Sequence, residues 1–322
     1  MQDTKKMLIL ITGITGMVGK ACASAALKAG HAVRGLGRNP DRLDESIAGK
    51  LEGFQKATGI YDLNALDLAV QGVDAVVCAY TPETEVIMEG QLLLLRAAQR
   101  HGVKVYDPCL LCKSASSNML QIFHANSWNY DWTKQKLGDH ELYDEYVSFM
   151  NHVRLSSSIK PIYMFTGAIM EWVFCSPRDN FFDRETKTVS YFGKGDEKWI
   201  YSTVDDLAAY TIAAVAAPNA TEGGVVRVQS FRASPFDIAA AYENARGTKA
   251  STHCLGSVED VDKLLEESRR TTDPTEYTKY IGLGYVLHTL KGTWEYEAVD
   301  CERFKEVKQT SLRQWFKEHP EI

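Results

Sequence analysis

Short apolar runs alternate with helix-favouring stretches through the first third of the chain. Continuous apolar runs are typical of strands covered on both faces, and they predict strands at residues 7–11, 32–36, 74–80 and 103–106. The stretches between them end at glycines and predict helices at residues 16–29, about 62–71 with Asp62 as cap, and 82–101. Such alternation predicts a parallel sheet with helices on both faces.

The pattern changes in the middle of the chain. Residues 109–139 mix serine, asparagine, tryptophan and tyrosine without a steady period, which predicts a long loop. Regular spacing then predicts helices at residues 141–153, 207–217 and 235–246, strands at 161–165, 188–192, 199–202 and 225–229, and more helices beyond residue 257. Thr203 to Asp206 fit a capping box ahead of the helix at 207.

Composition excludes several classes of protein. The 322 residues are 45% hydrophobic and 24% charged, which is ordinary for a globular protein. The net charge of −6 argues against a nucleic-acid or membrane-surface binder. Seven cysteines are an odd number and are scattered, which indicates free thiols in a reducing compartment rather than a disulfide framework.

The N-terminus has some features of a secretory signal peptide, with a basic pair, an apolar run and a small-residue site. Three glycines and Lys20 interrupt that run. No other stretch approaches the roughly 20 apolar residues that span a bilayer. We therefore expect a cytoplasmic protein that binds no membrane.

A glycine motif follows the first predicted strand and opens the first predicted helix. It reads Thr-Gly-Ile-Thr-Gly-Met-Val-Gly over residues 12–19. In dinucleotide sites the first glycine permits a tight turn, the second lets the backbone approach the pyrophosphate, and the third lets helix and strand pack closely. The helix N-terminus then presents N–H groups to the phosphates. The motif predicts a dinucleotide site.

The end of the second strand distinguishes NAD from NADP. An NAD site places an acid about 20 residues beyond the motif, on the ribose hydroxyls. This chain instead has Arg38, and its next acid is Asp41. An arginine can pair with a 2′-phosphate in fork geometry. The sequence therefore predicts NADP(H) as the cofactor.

Together these features predict an α/β protein with a Rossmann-type doubly wound parallel sheet. We expect an NADP-binding domain at residues 1–160, with its sheet completed by strands around 161–170 and 225–229. Residues 171–322 would form mainly a smaller C-terminal substrate lobe, interleaved with the first domain. No internal repeat and no clean linker divides the two.

Several segments together resemble the NmrA-like and isoflavone-reductase-like branch of the atypical short-chain dehydrogenases. They are the glycine motif, Gly-Arg-Asn-Pro at residues 37–40, the segment 66–76, the segment 161–170 and the segment 199–207. The resemblance covers about residues 6–245. It implies a Rossmann domain with NADP and a small substrate lobe, in either reductases of small aromatic secondary metabolites or cofactor-sensing regulators without catalysis.

The resemblance also implies the roles of individual residues. Those implied for the cofactor are Gly13, Thr15, Gly16, Met17 and Gly19 at the pyrophosphate, Arg38 at the 2′-phosphate, Ile60 at the adenine, Tyr80 and Thr81 at the ribose, and Tyr106, Thr166, Gly167 and Ala168 at the nicotinamide. One departure is Gly59, which stands where the family usually has an acid before the adenine-contacting residue.

The proton donor is less evident, because the helix at residues 141–153 lacks the lysine that isoflavone-reductase-like enzymes use there. Tyr143 and Tyr146 share one face of this helix and are candidates in its place. The alternative is Tyr130 with Lys134, the chain's only Tyr-x-x-x-Lys pair of the kind short-chain dehydrogenases use. If neither assignment is correct, a reductase could work mainly by positioning its substrate, with water or the ribose hydroxyl relaying the proton.

Aromatic residues are concentrated where the resemblance places the substrate lobe, and pockets for flat apolar ligands are lined in this way. Candidates for substrate contact are Trp128, Phe149 and Trp172, with core packing as the alternative. Cys109 and Cys112 form a lone CxxC without a second pair or nearby histidines, so we expect no metal site.

Three functions remain open. The first is an NADPH-dependent reductase of a bulky aromatic or polyketide-like metabolite of secondary metabolism, with that small molecule as its partner. The second is an NADP-sensing regulatory protein without catalysis. The third is a small-molecule cyclase or isomerase that uses the same pocket. The missing lysine favours the second and third, whereas the aromatic residues favour the first and third. The sequence leaves the oligomeric state undetermined.

Overall fold

The computed structural model describes residues 6–102, 122–175 and 181–322. The strands are β1 Leu8–Thr12, β2 Ala32–Gly37, β3 Gly53–Lys56, β4 Ala75–Cys78, β5 Ile122–His124, β6 Ile162–Phe165, β7 Ala168–Ile169, β8 Phe182–Asp183, β9 Thr188–Phe192, β10 Trp199–Ser202, β11 Gly224–Arg227, β12 Phe231–Ala233 and β13 Ser251–Gly256. The α-helices are α1 Met17–Lys28, α2 Glu45–Ala48, α3 Leu63–Val70, α4 Gln91–Gly102, α5 Glu141–Ser156, α6 Met170–Cys175, α7 Val204–Ala216, α8 Pro235–Arg246, α9 Val258–Thr271, α10 Ile281–Leu290 and α11 Leu312–Glu318.

The chain divides into two compact units. The first contains Met1–Ser127, Ser148–Met164 and Ala208–Val226, and the second contains Trp128–Val147, Phe165–Leu207 and Arg227–Ile322. Each unit is assembled from segments that are distant in the sequence.

The first unit is built on a seven-stranded sheet with the order β11-β6-β5-β4-β1-β2-β3. The pairs β1–β2, β1–β4, β2–β3, β4–β5 and β5–β6 are parallel. Parallel neighbours need crossover connections, which the helices between these strands supply. The order reverses direction at β1, as in a Rossmann-type doubly wound sheet. The predicted fold class is confirmed.

Local signals of the sequence account for several helix ends. The Asp62 carboxylate accepts from the N–H of Ala65 and caps α3. Ser234 and Asp237 form a reciprocal capping box at the start of α8. Gly247, in the left-handed region, ends that helix.

The second unit contains two three-stranded sheets, with the orders β12-β10-β7 and β13-β9-β8. One core packs large aromatic side chains around them, and its largest members are Phe174, Phe182, Tyr201, Tyr242, Trp315 and Phe316. A second core of Val261, Leu265, Tyr280 and Leu287 joins α9 to α10.

Three local predictions were wrong. The segment 109–139 is not all loop, because it contains β5 and a short 3₁₀ helix at Trp132–Lys134. The helix expected from Pro82 begins two residues later, at Thr84, and passes through a π-helical turn at Val86–Gly90 before α4. The strand expected at 103–106 lies outside the described residues.

The third error concerns the start of α7. The helix begins at Val204 rather than at 207, and Thr203 does accept from the N–H of Asp206. The Asp206 carboxylate, however, does not return to Thr203. It accepts from the hydroxyls of Ser230 and Thr310 and from the N–H of Thr310. Asp206 therefore fixes two distant segments instead of completing a capping box.

Candidate active site

The glycine motif forms a tight loop between β1 and α1. Gly13 has a φ of +63°, and its N–H donates to the Leu36 carbonyl of the neighbouring strand. A Cβ at Gly13 would lie 2.1 Å from the carbonyl oxygen of Ala79. A side chain is therefore excluded at position 13, both by the left-handed backbone and by the approach of the chain after β4.

The other two glycines have different surroundings. A Cβ on Gly19 would lie 2.2 Å from the Gly13 carbonyl oxygen, so this glycine lets α1 pack on the loop. Gly16 precedes α1 and is exposed, and a Cβ there would meet only the Gly13 carbonyl oxygen, at 3.2 Å. The backbone at Gly16 is thus open to a ligand, and the first turn of α1, whose N–H groups lack intrahelical acceptors, begins directly after it at Met17.

Arg38 follows the last residue of β2 and is exposed. No side chain in the described part of the chain forms an ion pair or a hydrogen bond with its guanidinium. Lys20, just beyond the glycine motif, instead forms an ion pair with Asp44 at 3.3 Å. Arg38 is therefore available to an anionic ligand at the carboxyl end of β2.

The chain after β4 lies beside the glycine loop. Tyr80 is half-buried, and burial raises the pKa of its hydroxyl well above the usual range. Its carbonyl accepts from Nδ2 of Asn126 at 2.7 Å, and the N–H of Asn126 donates to Oε1 of Gln91. Thr81 is exposed. Residues after β1, β2, β4 and β5 thus lie at the carboxyl edge of one parallel sheet, where open α/β sheets bind ligands.

Ile60 packs against the π-helical turn, with Cγ2 3.1 Å from the position of a Cβ on Gly90. This places it next to the segment that leads into α4. Tyr106 lies outside the described residues.

The Thr166–Ala168 segment belongs to the second unit. Gly167 has a φ of +70°, and a Cβ there would lie 2.2 Å from the Ile200 carbonyl oxygen. Thr166 is fully buried, and its carbonyl accepts from the Ser202 hydroxyl. Only glycine fits at this turn, which leads into β7 where β7 pairs with β10.

Tyr143 belongs to a hydrogen-bonded network in the second unit. Its hydroxyl donates to Oδ1 of Asn129 at 2.7 Å, and Nδ2 of Asn129 donates to the hydroxyl oxygen of Tyr285 at 2.7 Å. Tyr143 is fully buried, which raises the pKa of its hydroxyl well above the usual range.

An aromatic cluster surrounds this network. We define it as His140, Tyr143, Tyr285, His288 and Trp294, with ring centroids 4.4 to 6.0 Å apart in the contacting pairs. Burial lowers the pKa of His140 to about 3, so its imidazole is neutral near neutral pH. Neutral rings and hydroxyl groups therefore provide the chemistry of the cluster.

The other candidate proton donors are arranged differently. Tyr146 is buried and stacks on Trp132 at 5.6 Å between ring centroids. Tyr130 is buried and stacks on Trp294, whereas Lys134 is exposed and its ammonium donates to the Glu295 carbonyl. Tyr130 precedes a 3₁₀ turn, and Lys134 is the last residue of that turn. The two residues are therefore not one turn apart on an α-helix. The structure therefore does not bring them together as a helical Tyr-x-x-x-Lys pair.

The three candidates for substrate contact differ in exposure. Trp128 and Phe149 are buried, at 5% and 1% exposure, while Trp172 on α6 is 42% exposed. Burial of the first two agrees with core packing, the alternative that the sequence left open.

Sequence reasoning missed Asn126, Asn129 and Tyr285. The first two lie in the segment read as a loop, where no period marks a buried asparagine. Tyr285 is 156 residues from Asn129 along the chain, so no spacing could pair them.

Within residues 6–102, 122–175 and 181–322, no group of three or more metal-ligating side chains lies together. No helix in those ranges is long and apolar enough to cross a membrane.

Comparisons with known proteins agree with this geometry. The sequence pattern of the NmrA-like family matches residues 5–266. A probable pinoresinol-lariciresinol reductase of Arabidopsis thaliana is 27% identical over 221 residues, which are 68% of this chain and 66% of that protein. The aligned part thus spans just under two thirds of that relative.

Solved structures share the fold over nearly the whole chain. An isoflavone reductase superposes with a TM-score of 0.73 at 20% identity, covering 98% of this chain and 99% of that one. The complex of leucoanthocyanidin reductase with NADPH from Vitis vinifera also has a TM-score of 0.73, at 16% identity, covering 98% and 100%. At such identities the likeness concerns the fold alone.

Proposed function

The chain belongs to the NmrA-like family, and we propose that it is an NADPH-dependent reductase of a bulky aromatic or polyketide-like metabolite. The observation that carries the proposal is the glycine loop at the carboxyl edge of the parallel sheet, with exposed Arg38 in place of an acid after β2. This combination favours a dinucleotide with a 2′-phosphate.

The residues of the first unit fit that cofactor. The loop Gly13–Gly19 and the first turn of α1 would hold the pyrophosphate, and Arg38 would hold the 2′-phosphate. Ile60 would contact the adenine, while Tyr80 and Thr81 would lie at the ribose. NADPH, when bound, supplies a hydride. Tyr106 and the Thr166–Ala168 segment remain our candidates for the nicotinamide end.

The second unit would supply the substrate-binding surface. Its aromatic cluster offers ring faces and hydroxyl groups, which suit a flat substrate with polar substituents. The isoflavone, pinoresinol and leucoanthocyanidin reductases named above act, by their names, on aromatic compounds, which supports this substrate class. We place the protein in the cytoplasm, in secondary metabolism.

Two measurements test the function. NADPH and NADH are titrated separately into the purified protein, and NADPH consumption is then followed with pinoresinol, an isoflavone, leucoanthocyanidin and simple aryl ketones. We expect tighter binding of NADPH than of NADH, and consumption with at least one carbonyl or benzylic ether substrate. Equal affinity for both cofactors contradicts the assignment of Arg38.

A cofactor-sensing regulator is the second candidate, because α5 contains no lysine for the proton relay of the related reductases. Tight NADPH binding without consumption of any aromatic compound favours this function. A product with unchanged oxidation state, formed without net NADPH consumption, favours a cyclase or isomerase.

A further inference from the structure

Gln91 is the first residue of α4, and the π-helical turn before it changes the partners of its main chain. Its N–H donates to the Val86 carbonyl, five residues earlier, whereas an α-helix would direct it to the Ile87 carbonyl. The Ile87 carbonyl accepts from Nε2 of Gln91 at 3.2 Å. A side-chain amide thus supplies that carbonyl with a donor, and Gln91 is fully buried.

Two unambiguous partners determine the orientation of the Gln91 amide. Oε1 accepts from the backbone N–H of Asn126 at 2.5 Å, and a backbone N–H can only donate. Nε2 faces the backbone carbonyl of Ile87, which can only accept. Gln91 therefore joins the start of α4 to the chain that follows β5.

Asn126 extends this connection to the chain that follows β4. It is 6% exposed, and its Nδ2 donates to the Tyr80 carbonyl at 2.7 Å. The residue before Tyr80 is Ala79, whose carbonyl oxygen closely approaches Gly13 of the glycine loop. The bonds from Gln91 to Asn126 and from Asn126 to Tyr80 therefore fix the segment that lies against this loop.

Backbone pairing between β4 and β5 ends before it reaches Tyr80. The last pair of that ladder is Val77 with His124. Beyond it, the side chains of Gln91 and Asn126 join the two chain segments, and all of these residues lie in the first unit. Side chains therefore hold the main chain at the carboxyl edge of the sheet, where open α/β sheets bind ligands.

We propose that Gln91 is a positioning residue of the cofactor site. It holds Asn126, and through Asn126 it holds the Tyr80–Thr81 segment in the position that binds the ribose of NADP(H). The inference rests on the proposed function, which places that segment at the ribose. Gln91 acts without touching the cofactor, because its side chain is buried beneath the segment's partners. Its loss frees the chain after β4 to move relative to the glycine loop, so cofactor affinity falls although no cofactor contact is removed.

The experiment measures NADPH binding to the full chain by titration, and urea denaturation shows whether each variant folds. Gln91→Met removes both amide hydrogen bonds and keeps the length of the side chain, while Asn126→Ala removes the bond to the Tyr80 carbonyl. Gln99→Met is the matched control. Gln99 lies about two turns further along α4, and its amide also makes two hydrogen bonds, with the side chains of Arg96 and Ser157.

The expected result is a loss of cofactor affinity that is specific to this connection. Gln91→Met and Asn126→Ala each weaken NADPH binding by about tenfold, the effect of one lost buried hydrogen bond. Gln99→Met keeps NADPH affinity within about twofold. In the double variant, Gln91→Met adds little to Asn126→Ala, because the connection is already broken at Asn126. A residue that only stabilised the fold would instead give independent effects that multiply.

Any of three results overturns the inference: unchanged NADPH affinity in a folded Gln91→Met, equal losses in Gln91→Met and Gln99→Met, or effects that multiply in the double variant. If Gln91→Met does not fold, Asn126→Ala decides, and an unchanged affinity there overturns the inference. Each of these results leaves NADPH binding by the wild type, and with it the proposed cofactor, intact. A wild type that does not bind NADPH overturns the proposed function and the inference together.

Discussion

The carbonyl oxygen of Gly13 lies 2.2 Å from the position that a Cβ on Gly19 would occupy. The first and third glycines of the motif thus pack against each other, and the space between them is smaller than any side chain. This contact brings the start of α1 against the loop, and it leaves Gly16 between them exposed.

Gly19→Ala should therefore disturb the fold and the cofactor site together. The methyl group would meet backbone atoms of Gly13 and Ile14, which cannot rotate away. We expect a loss of about 2–4 kcal/mol in the free energy of unfolding, measured by urea denaturation, with loss of NADPH binding. Gly59→Ala is the matched control, because nothing lies within 4 Å of its added Cβ; equal stability of the two variants would contradict the close packing.

Arg38→Ala should lower NADPH affinity far more than NADH affinity. A charge-assisted contact to the 2′-phosphate contributes roughly 1.5–3 kcal/mol, about 10- to 150-fold in Kd. Titration of both cofactors into the two proteins measures this difference. Arg154→Ala, an exposed arginine on α5, controls for loss of surface charge; a similar effect of both substitutions would argue against a specific phosphate contact.

Strand and helix positions follow from the sequence where a local signal is complete. The bounds of β9, β10 and α8 match the prediction residue for residue, because each has a full apolar pattern or a capping box. The edge strand β3 was missed, since its sequence Gly-Phe-Gln-Lys is too polar and short to indicate a strand. The three-residue β5 was missed for the same reason of length.

The candidate site also has one part that the sequence predicts and one part that it does not. The glycine loop and Arg38 are contiguous with predicted elements, so the sequence locates them. The network around Asn129 is formed by contacts between residues far apart in the chain, which spacing does not encode. The turn at Thr166–Gly167 bonds to the main-chain carbonyl of Asn129, and a helix more than 100 residues later bonds to its side-chain amide.

Asp206→Ala should destabilise the protein much more than Asp205→Ala. The Asp206 carboxylate is 5% exposed and accepts three hydrogen bonds, from Ser230 and Thr310. Its removal leaves the buried Ser230 hydroxyl and the partly buried donors of Thr310 without this acceptor, which costs about 2–4 kcal/mol. Asp205 is its exposed neighbour on the same turn of α7. Urea denaturation of both variants tests the difference. Equal losses of unfolding free energy would mean that the negative charge near the helix start is responsible, rather than the hydrogen bonds to Ser230 and Thr310.

His140 should contribute to acid sensitivity. Its pKa is lowered by burial to about 3 in the folded protein, against about 6.5 in an unfolded chain. Between these values the unfolded chain binds a proton that the folded protein does not, so stability falls as pH falls from 6.5 toward 3. His140→Phe should reduce the slope of unfolding free energy against pH by up to about 1.4 kcal/mol per pH unit.

Denaturation series between pH 7 and pH 4.5 would measure that slope. The control is His253→Gln, because His253 lies exposed on β13. A wild-type slope in His140→Phe would mean that His140 is protonated in the folded protein.

The two tyrosines that the sequence places on one face of α5 should differ in their effect on turnover. The Tyr143 hydroxyl donates to Oδ1 of Asn129, so Tyr143→Phe removes one of the two hydrogen bonds to this buried oxygen. Oδ1 still accepts the N–H of Tyr130, which limits the loss. We expect kcat to fall about three- to tenfold, with NADPH affinity unchanged.

Tyr146 packs by its ring on Trp132, and phenylalanine retains that stacking, so Tyr146→Phe should keep kcat within about twofold. Steady-state kinetics of both variants with one reducible aryl ketone test the contrast. A loss of ~100-fold or more in Tyr143→Phe would identify Tyr143 as the proton donor. The same loss confined to Tyr146→Phe would assign that role to Tyr146.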